Sequence, residues 1–68
     1  MCTMNEMKNR IITAFKKIYG FGPCKKDIIP MESSGSGNLL DWMAFTINGI
    51  GYTYNVVSGL TKSDIYNI

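Results

Sequence analysis

The stretch LLDWMAFTINGIGYTYNVV, residues 39–57, decides how this chain folds. At its middle, Asn48-Gly49 supplies the two positive φ angles of a type I′ turn, the connection whose twist matches a β-hairpin. With those two residues as the loop, Ile47 faces Ile50, Phe45 faces Tyr52 and Met43 faces Tyr54, all on one side. Thr46/Gly51, Ala44/Thr53, Trp42/Asn55 and Leu40/Val57 fall on the other. A slip by one residue would scatter the large apolar side chains over both faces, so turn chemistry and alternation specify the same register.

Towards the N-terminus the next element is a helix. Thr3 followed by Glu6 is a capping box, and Cys2 and Met7 stand where a hydrophobic staple would place them. Met4, Met7, Ile11, Ala14, Phe15 and Ile18 recur at three- and four-residue steps and form one apolar stripe. Glu6 and Arg10 make an i,i+4 pair. Gly20 suits the left-handed residue that ends a helix, Phe21 is placed to touch the preceding turn, and Pro23 prevents continuation. Opposite the stripe lie Arg10, Thr13, Lys16 and Lys17, the ordinary composition of a solvated face.

The flanks of the central hairpin complete the expected order. Residues 25–31 read as a short strand with Ile28, Ile29 and Met31 as its apolar content; Pro30 cannot donate to a ladder and assigns it to an edge. Residues 32–38, ESSGSGN, read as a flexible polar loop. Their glycines lack the Walker spacing and are followed by a strand, not a helix, which argues against a phosphate cradle. After Ser58-Gly59, Thr61 with Asp64 repeats the capping logic and Leu60 with Ile65 the staple. The spacing predicts a last helix of about two turns from Lys62, packing Ile65 and Ile68, with an irregular tail or a fourth strand as the competing reading. The expectation is a single α+β domain over residues 1–68. An N-terminal helix packs on a three-stranded antiparallel sheet, with a short C-terminal helix, in the order α-β-β-β-α. Its core is Met7, Ile11, Phe15, Ile18, Met43, Phe45, Ile47, Ile50, Tyr52, Tyr54 and Val56.

Size and composition narrow the function classes. A chain of 68 residues buries only about 60% of its unfolded surface, so oligomerisation, metal or disulfides often supplement such a core. There is no His and there are only two Cys, without CxxC or paired-carboxylate spacing, so no metal and no cofactor are expected. A Cys2–Cys24 bridge is opposed by the helix between them, roughly 25 Å long at 1.5 Å per residue, against a Cα reach of about 7 Å. Free thiols, with neither a signal-peptide h-region nor an apolar run of roughly 18 residues, point to a cytoplasmic protein that does not engage membranes. The net charge of +2 hides a split. Residues 1–26 carry Lys8, Arg10, Lys16, Lys17, Lys25 and Lys26 against Glu6; the rest carry Lys62 against Asp27, Glu32, Asp41 and Asp64. Such asymmetry raises the question of an anionic partner.

Catalysis finds little support, and the chain reads as a non-enzyme. It has no imidazole to move protons near neutrality, no Ser or Cys beside an evident base, and scattered carboxylates. Asp41 is the one acid inside the apolar hairpin, expected at the sheet's end; Cys24 stands beside Lys25-Lys26 but reads as a bystander thiol. The outer face of the hairpin is richer: Leu40, Trp42 and Val57 gather there, the type of cluster that marks a partner site.

In element order the chain is similar to the double-stranded-RNA-binding domain, also α-β-β-β-α at about this length. That family opens its last helix with a run of lysines that meet phosphates, which the likeness would place at residues 60–64, LTKSD. One Lys and one Asp stand there, so the likeness is one of topology.

Three functions therefore compete. The first is a protein-binding module, an inhibitor or adaptor of phage accessory type, using a sheet face or edge around Leu40, Trp42 and Val57. The second is nucleic-acid binding through Arg10, Lys16, Lys17, Lys25 and Lys26, where phosphate contact would dominate. The third is a structural homodimer or larger homo-oligomer whose interface completes the core.

Overall fold

A computed structural model describes residues 2–67. Its helix α1 (Met4–Tyr19) opens on Thr3, whose Oγ1 accepts from the Glu6 N–H at 3.3 Å while the Glu6 carboxylate accepts from the Thr3 N–H at 3.0 Å. The reciprocal bonds satisfy two donors that a first turn otherwise leaves unpaired. At the far end Gly20, at φ 83°, donates to the Lys16 carbonyl. Met7, Ile11 and Phe15 are the buried stripe, joined by Cys2 and by Ile28 from the connection after the helix. That connection includes a 3-10 turn at Lys25–Asp27, where the expected strand begins instead four residues later.

The sheet has four antiparallel strands in sequence order: β1 (Ile29–Ser36), β2 (Leu39–Ile47), β3 (Ile50–Asn55) and β4 (Gly59–Lys62). Between β2 and β3 the register is the one Asn48-Gly49 implies, with Phe45 opposite Tyr52 and Met43 opposite Tyr54. Asn48 and Gly49 adopt φ 53° and 81°. Phe45, Met43, Ile47, Tyr52 and Tyr54 meet the stripe of α1 to form the core. Ile18 and Ile50, expected inside, are 57% and 40% exposed; one lies in the last helical turn and the other at the hairpin tip, both at the margin of the packed layers. Val56 is half-buried against the core.

Four strands replace the expected three because β4 is added at the C-terminal end, and β1 is itself longer than expected. Residues 32–36 are strand, not loop: Ser36 pairs with Leu39 across a two-residue Gly37-Asn38 turn in which Gly37 has φ 60°. A positive φ at the first turn residue alone is the pattern of a type II′ hairpin. Every residue of β1 is exposed, so backbone pairing with β2 holds it and its polar side chains do not oppose it. At the other end, the expected helix from Lys62 is β4 followed by a single 3-10 turn, Asp64–Tyr66. The Asn55 carboxamide Oδ1 accepts from the N–H groups of Val57 and Ser58, and Gly59 takes φ 91°. A three-residue loop closed by left-handed glycine returns the chain as a strand before any helix can start. Ile65 is 82% exposed and does not pack as expected; Ile68 lies outside the described residues. The α-β-β-β-α order, and with it the likeness to the double-stranded-RNA-binding domain, is not kept.

Two bulges re-aim side chains. Met31 is the extra residue on β1 between the Pro30–Phe45 and Glu32–Ala44 pairs, and Asp41 the extra one on β2 between the Ser34–Trp42 and Gly35–Leu40 pairs. An extra residue breaks the alternation of a strand, and beyond Asp41 the side chain of Leu40 packs against the core. Val57 does not pair with Leu40. Cys2 does, exchanging two backbone bonds of 2.9 and 2.6 Å.

The outer face of the sheet is crossed by the chain after β4. The Ser63 N–H donates to the Gly51 carbonyl at 3.0 Å, the Gly51 N–H donates to the Asn67 carboxamide at 2.6 Å, and the Tyr66 hydroxyl donates to Glu32 on β1 at 2.8 Å. Ala44 and Thr46 on β2 lie between these anchors and are fully buried. Gly51 is required there: a Cβ would come within 2.5 Å of the Ser63 carbonyl and 2.7 Å of Tyr66 Cβ.

Candidate functional site

The residues expected to form one outer patch are not brought together. Trp42 is on the outer face opposite Asn55, half-buried and beyond the C-terminal strap. Leu40 turns inward after the Asp41 bulge, and Val57, 92% exposed, caps the β3–β4 loop. What surrounds Trp42 is polar: Ser34 pairs with it from β1, and the Ser34 hydroxyl donates to the Asp41 carboxylate at 3.2 Å.

A different apolar surface stands at the C-terminal end of α1. Phe15, in the core, touches Tyr19 at a ring-centroid distance of 4.6 Å, Phe21 at 5.6 Å and Tyr52 at 5.1 Å. Tyr19 also meets Tyr52 edge-on at 6.4 Å, and Tyr52 stacks on Phe45 at 5.7 Å. The rings therefore run unbroken from the deepest core residue to solvent, where Tyr19 is 44% and Phe21 61% exposed. Aromatic pairs gain from such tilted and edge-on contacts, so the outer rings are held by the inner ones. Burial holds the Tyr52 phenol above its ordinary pKa, and the neighbouring Tyr19 adds to the effect. The helix cap explains the placement: Gly20 reverses the chain and returns Phe21 onto Phe15. Sequence reasoning missed the surface, although Phe15 and Tyr19 are an i,i+4 aromatic pair and the Gly20 cap was visible.

The basic residues divide. Lys25 is tied to the start of the helix, its ammonium donating to Asn5 at 2.7 Å, and Lys26 follows it in the same 3-10 turn. Lys16 and Lys17 occupy the last turn of α1, roughly 16 Å further along at 1.5 Å per residue. The five cations are thus no single patch. Arg10 and Lys17 alone share a feature, an open groove of about 370 Å³ lined also by Asn9, Thr13, Ala14 and Tyr54. An aromatic ring does accompany these two charges, which the linear sequence conceals because Tyr54 comes from β3.

Chemistry-bearing groups are dispersed. Cys24 is exposed and Cys2 buried; the Asp27 carboxylate accepts from the Cys24 backbone N–H at 3.2 Å. Among the described residues no three His, Cys, Asp or Glu side chains converge as a metal site, and no helix is long and apolar enough to cross a membrane. Comparison with protein-family models, curated proteins and solved structures finds no match to this chain.

Proposed function

We propose that the protein is a small non-catalytic protein-binding module, of inhibitor or adaptor type, that docks through the aromatic end of α1. The observation supporting this reading is the exposure of Tyr19 and Phe21 on top of a ring cluster rooted in the core. Rigid aromatics of this kind present large contact area with little entropy left to lose, and they dominate interface energetics. Ile18, exposed beside Tyr19 in the last turn, extends the apolar area, and Lys16 and Lys17 give it the polar rim typical of such surfaces. The sheet face around Trp42 is the weaker candidate, since its expected apolar neighbours point elsewhere.

Immobilised protein tests the reading by capture from a lysate of its own source cells, followed by titration of the captured partner. Phe21→Ser should leave the circular-dichroism spectrum intact and weaken the complex about thirtyfold, the equivalent of a hot spot of roughly 2 kcal/mol. Capture undiminished by Phe21→Ser and by Tyr19→Ser would overturn it.

A further inference from the structure

The exposed aromatic end of α1 carries a charge as well as a shape. Tyr19 and Phe21 are its rings, and two exposed aliphatic side chains widen it: Ile18 in the last helical turn, and Ile50, two residues before Tyr52 on the same face of β3. Two cations stand at its borders, each placed by the fold. The chain after Gly20 returns along α1 so closely that a Cβ at Gly22 would lie 3.0 Å from Ile12 Cγ2 and 3.5 Å from Lys16 Cγ. The stem of Lys16 therefore runs beside the Phe21 segment, with its ammonium at the rim. Lys62, exposed on β4, is the cross-strand neighbour of Tyr52, the ring that meets Tyr19. The acids are engaged elsewhere: Glu6 in the helix cap, Asp27 on the Cys24 N–H, Glu32 on Tyr66 and Asp41 on Ser34. Asp64 belongs to the 3-10 turn of the chain that crosses the opposite face of the sheet.

We infer that this surface recognises an acidic segment of the partner protein, an aromatic or leucine anchor flanked by carboxylates. The inference rests on the docking reading above and names the chemistry of the occupant. Complementary charge on either side of an apolar contact steers the encounter and fixes its orientation. A segment with Lys or Arg beside its anchor would be repelled at both borders. A nucleic-acid strand fits less well. The Tyr19 and Phe21 planes make different angles with the Phe15 ring, 39° and 67°, so they are not the parallel platform on which successive bases stack. Ile18 and Ile50 extend the surface with aliphatic area that suits an apolar side chain.

A phage-displayed library of random peptides of about a dozen residues, selected on the immobilised protein, tests this without the natural partner. Recovered sequences should place two or more Asp or Glu within a few positions of Trp, Phe or Leu, and synthetic copies should bind more weakly as salt rises. Lys16→Glu and Lys62→Glu should each weaken such a peptide about fivefold, mainly through slower association. Lys26→Glu is the control, because Lys26 follows the lysine tied to Asn5 at the far end of α1, and it should leave binding unchanged. Replacing the peptide's carboxylates by lysines should abolish binding. Recovered sequences without acids that still lose affinity for Phe21→Ser would overturn the acidic partner and leave the docking surface standing. Peptides indifferent to both Phe21→Ser and Tyr19→Ser bind elsewhere and overturn the inference too, whereas the docking reading itself stands or falls on the captured partner's response to those substitutions. Equal losses with Lys26→Glu and Lys62→Glu, no enrichment of any sequence, or tighter binding of an oligothymidylate than of the recovered peptides would likewise overturn the inference.

Discussion

Asn48 and Gly49 each adopt a backbone angle that most residues avoid, and the central hairpin depends on both. Replacing Gly49 with Val places a β-branched residue at φ 81° and should destabilise the fold by more than about 1 kcal/mol, measured by urea unfolding. Gly51 answers to a different constraint. Its φ lies outside the left-handed region, yet the strap occupies the space of its Cβ. Gly51→Ala should therefore cost about 1–3 kcal/mol or release the strap, seen as faster hydrogen exchange at Ser63 and Asn67. The strap also carries a pH dependence. Its hydrogen bond to the Glu32 carboxylate raises the Tyr66 phenol above the ordinary value, with partial removal from water and the carboxylate charge adding to it. A raised folded-state pKa contributes stability that is complete below the unfolded value, about 10, and lost as pH rises through the folded one. Tyr52, raised by burial, acts in the same sense. Unfolding midpoints should fall in the alkaline range, and Tyr66→Phe should flatten that fall while Tyr52 sustains the remainder. On the acid side the sign reverses. Glu6 is lowered chiefly by its bond to the Thr3 backbone, so its contribution is present above the ordinary carboxyl value and lost as pH falls through the folded one.

Elements differ in how openly the sequence declares them. Helix α1 and the β2–β3 pairs from Trp42/Asn55 to Ile47/Ile50 were legible because burial and local chemistry agree there: cap, stripe and stop on one side, turn and alternation on the other. Strand β1 was legible only as far as Met31. Its remainder, Glu32 to Ser36, buries nothing, and the hydrophobic pattern on which strand recognition rests is absent. Position 35 holds the hidden reason for a glycine, since a Cβ there would land on the Leu39 carbonyl. Gly35→Val should accordingly open the β1–β2 hairpin while sparing β2–β3, with amide protection lost at Ser33 and Ser34 but retained at Tyr52 and Tyr54. The last segment misled through a local motif. Thr61 and Asp64 match a cap by spacing, but Asn55 and Gly59 had already turned the chain into a strand. The expected grouping of Leu40 with Trp42 is lost for a related reason: Asp41 is an extra residue beyond which Leu40 packs against the core, and bulges leave no periodic mark.

For the whole molecule, surface area limits what can be bound. The accessible surface is 4213 Å², and a standard interface takes about 800 Å² from each partner, roughly a fifth of it. One docking surface at the aromatic end is compatible with that area; the face around Trp42 need not take part. Because so short a chain has little stability to spare, anything that binds only the folded state should be conspicuous in its melting. A partner present at a hundred times its Kd adds about 2.7 kcal/mol, and in a domain of this size each kcal/mol moves Tm by about 4–8 °C. The captured partner should thus raise Tm by roughly 10 °C or more, an increase that Phe21→Ser cuts to about a third and Trp42→Ala leaves unchanged. The reverse pattern, loss with Trp42→Ala and retention with Phe21→Ser, would move the interface to the open half of the sheet. A rise with protein concentration alone would instead identify a second copy of this chain as the occupant.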